Sequence, residues 1–478
     1  MKTLLFYDIE TSGLNPAFDQ VLTFACIRTD LELNEIERTA ITICLRSDIV
    51  PSPKAILTHG LTFDELETGV SEYQAALQIH KILNTPGTIS LGYNSLGFDD
   101  EFLRFLFYRN LLDPYTHQYG KGCSRMDILP ITVLFKIFYP KVLQWPKIDG
   151  KSSLKLELIS RENNFQISGK AHEAMSDVEA VIELAKRFFQ QKKIWNYCLG
   201  FFNKPKDEIR INSIKKDFQV GNMQFRICLM LSIAFGADRN YMSPVIHIGQ
   251  SMPYKNQTLW MRLDLEDTLY LNSKADLKDT FVIRKRAADE LIVLPPLERF
   301  WRKMSPEVIE LVKCNLDHIL QQQSRFFEFI KYHREYKYPF IPGLDPDAAL
   351  YQDDFFTSQE KKESNTFHKS LKKSDYDHKP NKILERIKSS RIKTLAKRIL
   401  FRNFKHENLP VKDVENSLGL NRLRSSSKKD QIIGYKNDIK FNCQEGLQEL
   451  QELENETVNL EKEKRKMFFQ IKEYIKNL

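Results

Sequence analysis

Up to about Gln190 the chain alternates short β-rich runs with amphipathic helices, and no other feature restricts the fold as much. Strand patterns cover Leu4–Ile9, Val21–Thr29, Thr39–Leu45 and Thr88–Tyr93, and the first three are spaced as a meander. Helix patterns cover Gln74–Leu83, Phe98–Leu112, Asp127–Tyr139 and Glu173–Gln190. Strands followed by helices predict an α/β layer fold for this part of the chain.

The pattern changes after Gln190. Asn240–Glu266 contains two β-like runs joined by a turn-rich segment, which predicts a hairpin in a small β domain. Pro306–Tyr336 has the pattern of one long helix, and Lys337–Asp354, with several prolines, predicts a linker. We therefore expect three domains, at residues 1–190, 191–345 and 346–478.

The C-terminal part is the most basic. Lys361–Arg398 holds thirteen Lys or Arg against four acids, and we expect a solvated loop that becomes helical from about Lys382. Gly446–Leu478 has apolar residues at helical intervals, with acids in its first turns and lysines in its last. This end of the chain is therefore predicted to be helical.

Composition excludes several classes of protein. Apolar residues make up 42% of the chain, which is enough for packed cores and argues against global disorder. The seven cysteines form no C-x-x-C pair, which argues against a zinc knuckle or a disulfide framework. The apolar run Ile227–Phe235 is too short to cross a bilayer, and Asp8 interrupts any signal peptide. We expect a soluble cytoplasmic protein, whose charge excess of 71 − 63 = 8 suits a polyanionic partner.

Two acids end the first predicted strand. Asp8 and Glu10 are two residues apart, so in a strand their side chains point to the same face. Neighbouring carboxylates repel each other unless one is protonated or a cation lies between them. An exposed strand end, with both acids in water, is the alternative that this motif alone leaves open.

Two further acidic motifs follow. Asp99 and Asp100 start a predicted helix directly after a strand and a turn, where acids are also ordinary partners of the helix dipole. His172 and Asp177 lie near the start of the helix that ends at about Gln190. Residues five apart lie about 140° apart around a helix, so His172 can share a site with Asp177 only from the turn before the helix.

The ordered motifs D-x-E-T, N-x-x-x-F-D and H-x-x-x-x-D resemble those of the DEDDh 3′→5′ exonucleases. The segments "LTHGLTFDELE", "YNSLGFDDEFLRFLFYRNLLDPY", "SSLKLELISRENN", "ALYQDDFF" and "RILFRNF" resemble the bacterial exonuclease I branch of that family. The resemblance implies a ribonuclease-H-like exonuclease domain with a mixed sheet, an SH3-like β domain and an α-helical C-terminal domain. Together these domains are expected to enclose a groove for one DNA strand.

The resemblance also implies a metal-dependent activity, the degradation of single-stranded DNA to 5′-mononucleotides in repair and recombination. Hard carboxylate oxygens suit two Mg²⁺ ions, with Mn²⁺ as a substitute. The implied ligands are Asp8, Glu10, Asp99 and Asp177, and the implied general base is His172. An imidazole with an unperturbed pKa of about 6.5 can accept a proton at neutral pH. Asp100 resembles a supporting acid and is not among the expected ligands.

The expected substrate contacts and partners rest on the same resemblance. The contacts are Glu10, Thr11, Ser12, Gly13, Leu61, Arg104, Tyr115, Tyr119 and Lys155. Leu61 resembles an apolar wedge against the last bases, while cations suit phosphates and tyrosines can stack on bases. The expected partners are single-stranded DNA and the acidic C-terminal tail of the single-stranded-DNA-binding protein, and the expected oligomeric state is a monomer.

Two alternatives remain open at this point. One is a DEDDh exonuclease that acts on RNA or serves as a proofreading subunit, although such proteins resemble little beyond Gln190. The other is a catalytically inactive nucleic-acid-binding scaffold, against which the presence of all four acids and His172 argues. Lys361–Arg398 is interpreted as an ordinary solvated segment, with phosphate contacts or docking of an acidic tail as the functional alternative.

Overall fold

The computed structural model describes residues 2–165, 173–266, 282–371, 380–404, 411–425, 427–454 and 462–478. Its first part is built on a five-stranded sheet with the order β3-β2-β1-β4-β5. The strands are β1 Thr3–Thr11, β2 Val21–Thr29, β3 Glu35–Thr42, β4 Thr88–Gly92 and β5 Ser124–Asp127. Strand β1 pairs antiparallel with β2 and parallel with β4, and β4 pairs parallel with β5. The predicted meander and the mixed sheet are confirmed.

Ten helices and a short ribbon accompany this sheet in the described part of the chain. The helices are α1 Pro53–His59, α2 Phe63–Glu67, α3 Glu72–Leu83, α4 Asp99–Arg109, α5 Thr116–Tyr119, α6 Ile128–Phe138, α7 Leu156–Glu162, α8 Ala174–Phe189, α9 Lys192–Leu199 and α10 Lys204–Ser213. The ribbon consists of β6 Lys147–Ile148 and β7 Lys151–Ser152. No helix among the described residues is long and apolar enough to span a bilayer.

Successive side chains of a strand point to opposite faces, so the side chains of β1 belong to two separate cores. Leu4 and Phe6 pack in the cluster that contains Val178 and Val181 of α8. Leu5, Tyr7 and Ile9 pack on the opposite face, in a cluster shared with α3 and α4. The sheet is therefore a middle layer between helices, and Asp8 and Glu10 continue the face that α8 covers.

Two strand predictions need correction. Strand β3 runs from Glu35 to Thr42, whereas the sequence predicts Thr39–Leu45. Its first four residues are exposed because β3 is an edge strand, and three of them are charged, so Ile36 alone gives no apolar alternation. Strand β5 was not predicted, since its four residues, Ser-Arg-Met-Asp, lack both length and alternation.

The middle of the chain forms a second sheet with the order β13-β12-β11-β10-β14, antiparallel throughout. Its strands, with a small preceding hairpin, are β8 Phe218–Val220, β9 Met223–Phe225, β10 Ile227–Leu231, β11 Met242–Gln250, β12 Gln257–Arg262, β13 Val282–Arg286 and β14 Ile292–Leu294. The predicted hairpin is confirmed as β11 and β12. The helix α11 Glu298–Trp301 follows the sheet.

The predicted long helix over Pro306–Tyr336 is wrong. The structure has two helices, α12 Pro306–Gln321 and α13 Gln323–Glu335. Gln322 between them has φ −113° and ψ 44°, which ends the first helix. The joint is a run of glutamines without apolar side chains, and the change of direction lets Ile319 and Phe326 both enter the core beneath the second sheet.

The C-terminal part is helical, as predicted. Its helices are α14 Ser358–Leu371, α15 Pro380–Glu385, α16 Ser390–Asn403, α17 Val411–Leu418, α18 Leu420–Arg424, α19 Cys443–Glu454 and α20 Lys462–Asn477. The helices α19 and α20 pack against each other and against α1, around Ile56, Ile471 and Ile475. This packing joins the end of the chain to its first part.

The predicted loop at the start of the basic segment is wrong for residues 361–371, which belong to α14. The Thr357 hydroxyl accepts a hydrogen bond from the Glu360 backbone N–H, and the Glu360 carboxylate accepts one from the Thr357 N–H. This capping box starts the helix, and Glu360, Ser364 and Phe367 form its buried face. Residues 372–379, which the same prediction included, lie outside the described residues.

Candidate active site

Strand β1 presents two acids at the end of its hydrogen-bonded ladder. Asp8 and Glu10 are half-buried, whereas Ile9 between them is buried on the other face. The pairing with β2 shifts register between Glu10 and Thr11, which ends the regular strand. The two carboxylates therefore lie on one face of the sheet, at the C-terminal end of its middle strand, as the sequence predicts.

Helix α8 brings a third acid to the same place. This helix packs across β1 and β2 through its buried apolar face. Asp177, in its first turn, places a carboxylate oxygen within 4.8 Å of ligand oxygens of both Asp8 and Glu10. Residues separated by about 170 positions in the sequence thus form one carboxylate cluster that could hold a metal ion.

Asp99 joins this cluster from the start of α4. Strand β4 ends at Gly92, opposite Tyr7, and beyond that point no strand among the described residues pairs with β1 on this side. The Asp99 carboxylate accepts a hydrogen bond from the backbone N–H of Ile9, between the two acids of β1. Asp99 also contributes to the electrostatic repulsion at both Asp8 and Glu10.

The crowding of these acids raises their pKa values. Burial, followed by the charges of Asp177 and Asp99, raises the pKa of Glu10 from 4.5 to about 8. Burial raises the pKa of Asp99 to about 7, and burial with Asp99, Glu10 and Asp177 raises that of Asp8 well above its usual value. Four carboxylates cannot all ionise here unless a cation compensates them. Their hard oxygen donors fit a divalent metal such as Mg²⁺ or Mn²⁺.

His172, the predicted general base, lies outside the described residues. Helix α8 begins at Ala174, and Asp177 lies in its first turn. The role of His172 stays a prediction.

Asp100 has no metal-ligand geometry and instead binds three cationic or imidazole side chains. Its carboxylate lies 2.5 Å from Arg104 Nη2 and 3.0 Å from His117 Nε2, and it also contacts Arg125. These partners, with the Arg104 and Arg125 charges, hold the pKa of Asp100 far below its usual value although burial opposes this shift. Asp100 therefore anchors the first turn of α4 on which Asp99 lies.

Hydrogen bonds between its own residues hold the loop after Glu10 in shape. The fully buried Ser12 hydroxyl donates to Asp19 and accepts from the Gln20 N–H, and Asp19 also accepts from the Asn15 N–H at 2.8 Å. A Cβ at Gly13 would lie 2.4 Å from the Asp19 carboxylate, so glycine allows this close approach. The Ser12 hydroxyl thus makes its hydrogen bonds within the loop.

The other predicted contacts are placed as follows. The Thr11 hydroxyl donates to the Gly13 carbonyl, and Leu61 is half-buried beside the core formed by α1 and α20. The Arg104 guanidinium is tied to Asp100 and Glu101 and lies 5.9 Å from the Tyr115 ring. Tyr119 and Lys155 are exposed to solvent. Each of these substrate contacts stays a prediction.

Sequence reasoning missed Asp127, which holds the loop before Asp99. Asp127 ends β5 and is fully buried, and its carboxylate accepts hydrogen bonds from the backbone N–H groups of Asn94, Leu96 and Leu129 at 2.9–3.0 Å. Burial raises its pKa to about 6, against the effect of these three bonds. The sequence signal that could have revealed Asp127 is its position directly before the apolar helix α6, because an acid at this position is typical of an N-cap.

Leu14 was missed as well. Its side chain is 82% exposed, directly after the braced turn that follows Glu10. A large exposed apolar side chain four residues after Glu10 is suited to contact an apolar ligand surface such as a base.

Comparisons with known proteins agree with this architecture. A family model described as Exonuclease matches residues 5–185. The exodeoxyribonuclease I of Escherichia coli K12 is 31% identical over 372 residues, which cover 73% of this chain and 76% of that protein. That of Buchnera aphidicola from Schizaphis graminum is 36% identical over 256 residues, so the match spans about half, 51%, of that relative.

The whole fold matches as well. The crystal structure of E. coli exonuclease I with a dA16 oligonucleotide superposes with a TM-score of 0.80 at 26% identity, covering 100% of both chains. The mixed sheet, the antiparallel sheet and the helical end therefore belong to a fold that is shared along the full length. The chain belongs to the exodeoxyribonuclease I family, and its first part is an exonuclease domain.

Proposed function

We propose that this protein is a metal-dependent 3′→5′ exonuclease that degrades single-stranded DNA to 5′-mononucleotides in DNA repair and recombination. The observation that carries the proposal is the convergence of Asp8, Glu10 and Asp177 within 4.8 Å of one another, with Asp99 beside them. Family membership and the likeness to an oligonucleotide-bound exonuclease I support the substrate class.

In this proposal Asp8, Glu10, Asp99 and Asp177 hold two Mg²⁺ ions. When bound, the metal supplies charge stabilisation at the attacking and leaving oxygens of the phosphodiester. The four carboxylates would hold its position because β1 lies between two cores, one shared with α8 and the other with α4. A solved complex of E. coli exonuclease I with single-stranded DNA holds a zinc ion, which supports a divalent site in the family.

His172 accepts the proton of the attacking water and thereby makes it a stronger nucleophile. The 3′-terminal nucleotide lies between the loop Thr11–Gly13 and Leu61, with Leu14 and Leu61 against its base. Tyr115 and Tyr119 stack on further bases, and Arg104 and Lys155 neutralise phosphates. Glu10 contacts both metal and substrate, and Ser12 acts by keeping the loop in shape.

The three predicted domains divide this work. Residues 1–190 carry the catalytic groups, and residues 191–345 and 346–478 form the walls along which the strand lies. The protein acts as a monomer in the cytoplasm, where all seven cysteines, each of them free in the structure, stay reduced. The protein binds the single-stranded-DNA-binding protein through the acidic C-terminal tail of that partner. A solved structure of SSB with exonuclease I and an inhibitor supports the choice of partner.

A digestion assay tests the proposal. Single-stranded DNA, RNA and duplex DNA, each labelled at the 5′ end, are incubated with the protein in Mg²⁺ or in EDTA. We expect a ladder that shortens from the 3′ end on single-stranded DNA only, and its loss in EDTA or with Asp8→Ala. The exposed Asp64→Asn change is the matched control and leaves the ladder unchanged. Equal digestion of RNA would replace the proposal by the RNA exonuclease alternative.

A further inference from the structure

A buried histidine binds the backbone of the turn between α1 and α2, which carries Leu61. The Leu61 N–H donates to the Nδ1 atom of His59 at 3.1 Å. His59 is the last residue of α1 and is only 8% exposed. A ring nitrogen that accepts a hydrogen bond carries no proton, so this imidazole is neutral and its hydrogen lies on Nε2. His59 therefore serves this turn as a hydrogen-bond acceptor.

Further hydrogen bonds fix the residues on either side of Leu61. The Gly60 N–H donates to the last turn of α1, and Gly60 has φ 76°, the left-handed conformation that ends many helices. Thr62 starts α2 with a capping box, in which its hydroxyl accepts from the Glu65 N–H and the Glu65 carboxylate accepts from the Thr62 N–H. Leu61 lies between these two caps, and its own N–H is the group that His59 binds.

Helix α1 connects this turn to the loop after Glu10. The backbone N–H of Ser52, directly before α1, donates to the Ser12 carbonyl at 2.7 Å. The seven residues of α1 span about 10 Å, and Leu61 follows the other end of the helix. The proposed function places the 3′-terminal nucleotide between the loop Thr11–Gly13 and Leu61. These two sides of the nucleotide site therefore lie at opposite ends of one helix.

The C-terminal helices hold α1 in place. Ile56 of α1 packs in one cluster with Ile471 and Ile475 of α20. The Ser52 hydroxyl also donates to the Glu449 carboxylate of α19 at 3.0 Å. Because α1 is fixed on this side, the position of the Leu61 side chain depends on the conformation of the turn that follows the helix.

We propose that His59 is a positioning residue for the 3′-terminal nucleotide, because its Nδ1 atom holds the turn in the conformation in which Leu61 packs against the terminal base. This inference rests on the proposed function for the nucleotide and its place. It adds a residue that acts through the Leu61 backbone and not by touching the substrate. Without the acceptor, the N–H of the half-buried Leu61 loses its partner, so the turn gains other conformations and the base contact weakens.

Binding without turnover tests this role. Fluorescence anisotropy in EDTA compares two 5′-labelled oligothymidylates, one ending in thymidine and the other in an abasic nucleotide. We expect His59→Leu and Leu61→Ala each to weaken binding of the first strand by about 5- to 100-fold, and binding of the abasic strand little. The double variant should lose no more affinity than Leu61→Ala alone, because both changes remove the same contact.

Three further variants separate positioning from support of the fold. His59→Asn keeps an acceptor, since its Oδ1 is attached where Nδ1 was, and should bind both strands as the wild type does. His59→Gln carries its acceptor one bond further from the backbone and should lose affinity as His59→Leu does. Ile56→Val disturbs the buried face of α1 but leaves the turn intact, so it should lower the melting temperature without separating the two strands.

Several outcomes would overturn the role of His59. They are wild-type affinity of His59→Leu, an equal loss on both strands, an additive loss in the double variant, a failure of His59→Asn to bind as the wild type does, and equal affinity of the wild type for the two strands. Digestion of the strand ending in thymidine by the wild type in Mg²⁺ is measured separately, so a failure of the exonuclease proposal is seen independently.

Discussion

At the scale of single residues, the proposed metal site is a place where function opposes stability. Asp8, Glu10, Asp99 and Asp177 bring like charges together in a partly buried site. Like charges at this distance destabilise the folded chain unless protons or cations neutralise them. The carboxylates therefore have a functional reason to be there, since packing alone would not favour them.

The change Asp8→Asn should separate these two effects. We expect activity in Mg²⁺ to fall by at least about 1,000-fold, because a lost metal ligand removes about 4 kcal/mol of transition-state stabilisation. The melting temperature in EDTA should rise by a few degrees, because one of the repelling charges is gone. Digestion rates and calorimetry measure both. A fall of the metal-free melting temperature would show that Asp8 supports the fold.

The pH dependence of the metal-free protein follows from the same pKa values. The carboxyl of Glu10 titrates near 4.5 when exposed and near 8 when folded, so the folded state binds its proton more tightly. Stability in EDTA should therefore fall as pH rises between these values. Mg²⁺ or Mn²⁺ added at pH 8 should restore it. Melting curves at pH 5 and pH 8 test this, and equal melting temperatures in EDTA would contradict it.

At the scale of elements, the site depends on how strands end. Strand β4 stops at Gly92 and strand β5 at Asp127, and the loop between Asn94 and Asp99 lies across these ends. Asp127 binds three backbone N–H groups around this loop, so the position of Asp99 depends on a residue that is not a ligand. Such supporting residues commonly affect metal affinity.

The change Asp127→Ala should therefore raise the Mg²⁺ concentration needed for half-maximal activity, by about 10- to 100-fold. It should also cost about 1–3 kcal/mol of unfolding free energy, because buried N–H groups lose their acceptor. Ser305→Ala removes the N-cap of α12 far from the site and should cost about 1 kcal/mol without changing the Mg²⁺ requirement. Metal titrations of both variants decide whether Asp127 positions Asp99 or only stabilises the fold.

At the scale of the whole molecule, a buried network of charges joins the first and last parts of the chain. Arg402 of α16 lies 2.8 Å from Asp48 and 2.5 Å from Asp347, and Lys440 Nζ donates to the Asp48 carbonyl. Asn15, in the loop after Glu10, also donates to Asp438 at 2.6 Å. The C-terminal part thereby contributes to the shape of the loop after Glu10.

The change Arg402→Met should destabilise the protein by about 3–5 kcal/mol, because it leaves Asp48 and Asp347 buried with fewer partners. The exposed pair Arg302–Glu298 provides the control, since Arg302→Met should cost less than about 1 kcal/mol. Denaturant unfolding measures both. A loss for Arg402→Met no larger than that of the control would mean that the network contributes little.

Much of the site could be predicted from local patterns. The spacing of Asp8 and Glu10 on one strand, and the acids at the starts of α4 and α8, are properties of short segments. The break at Gln322 and the helix over residues 361–371 could not be predicted in the same way. Both depend on which side chains become buried in a core. The two cores concerned are built from segments that are far apart in the sequence.

The sequence by itself determined the kinds of element, the order of the acidic motifs and the chemistry of their oxygens, because strand and helix periodicities are set by neighbouring residues. Only the tertiary structure decided that β1 lies between β2 and β4, that Asp177 meets Asp8 and Glu10, and that Asp127 supports Asp99. It also decided the buried charges by which Arg402 and Lys440 bind Asp48. These features are contacts between distant segments, and such contacts exist only once the strand order and the packing of the layers are established.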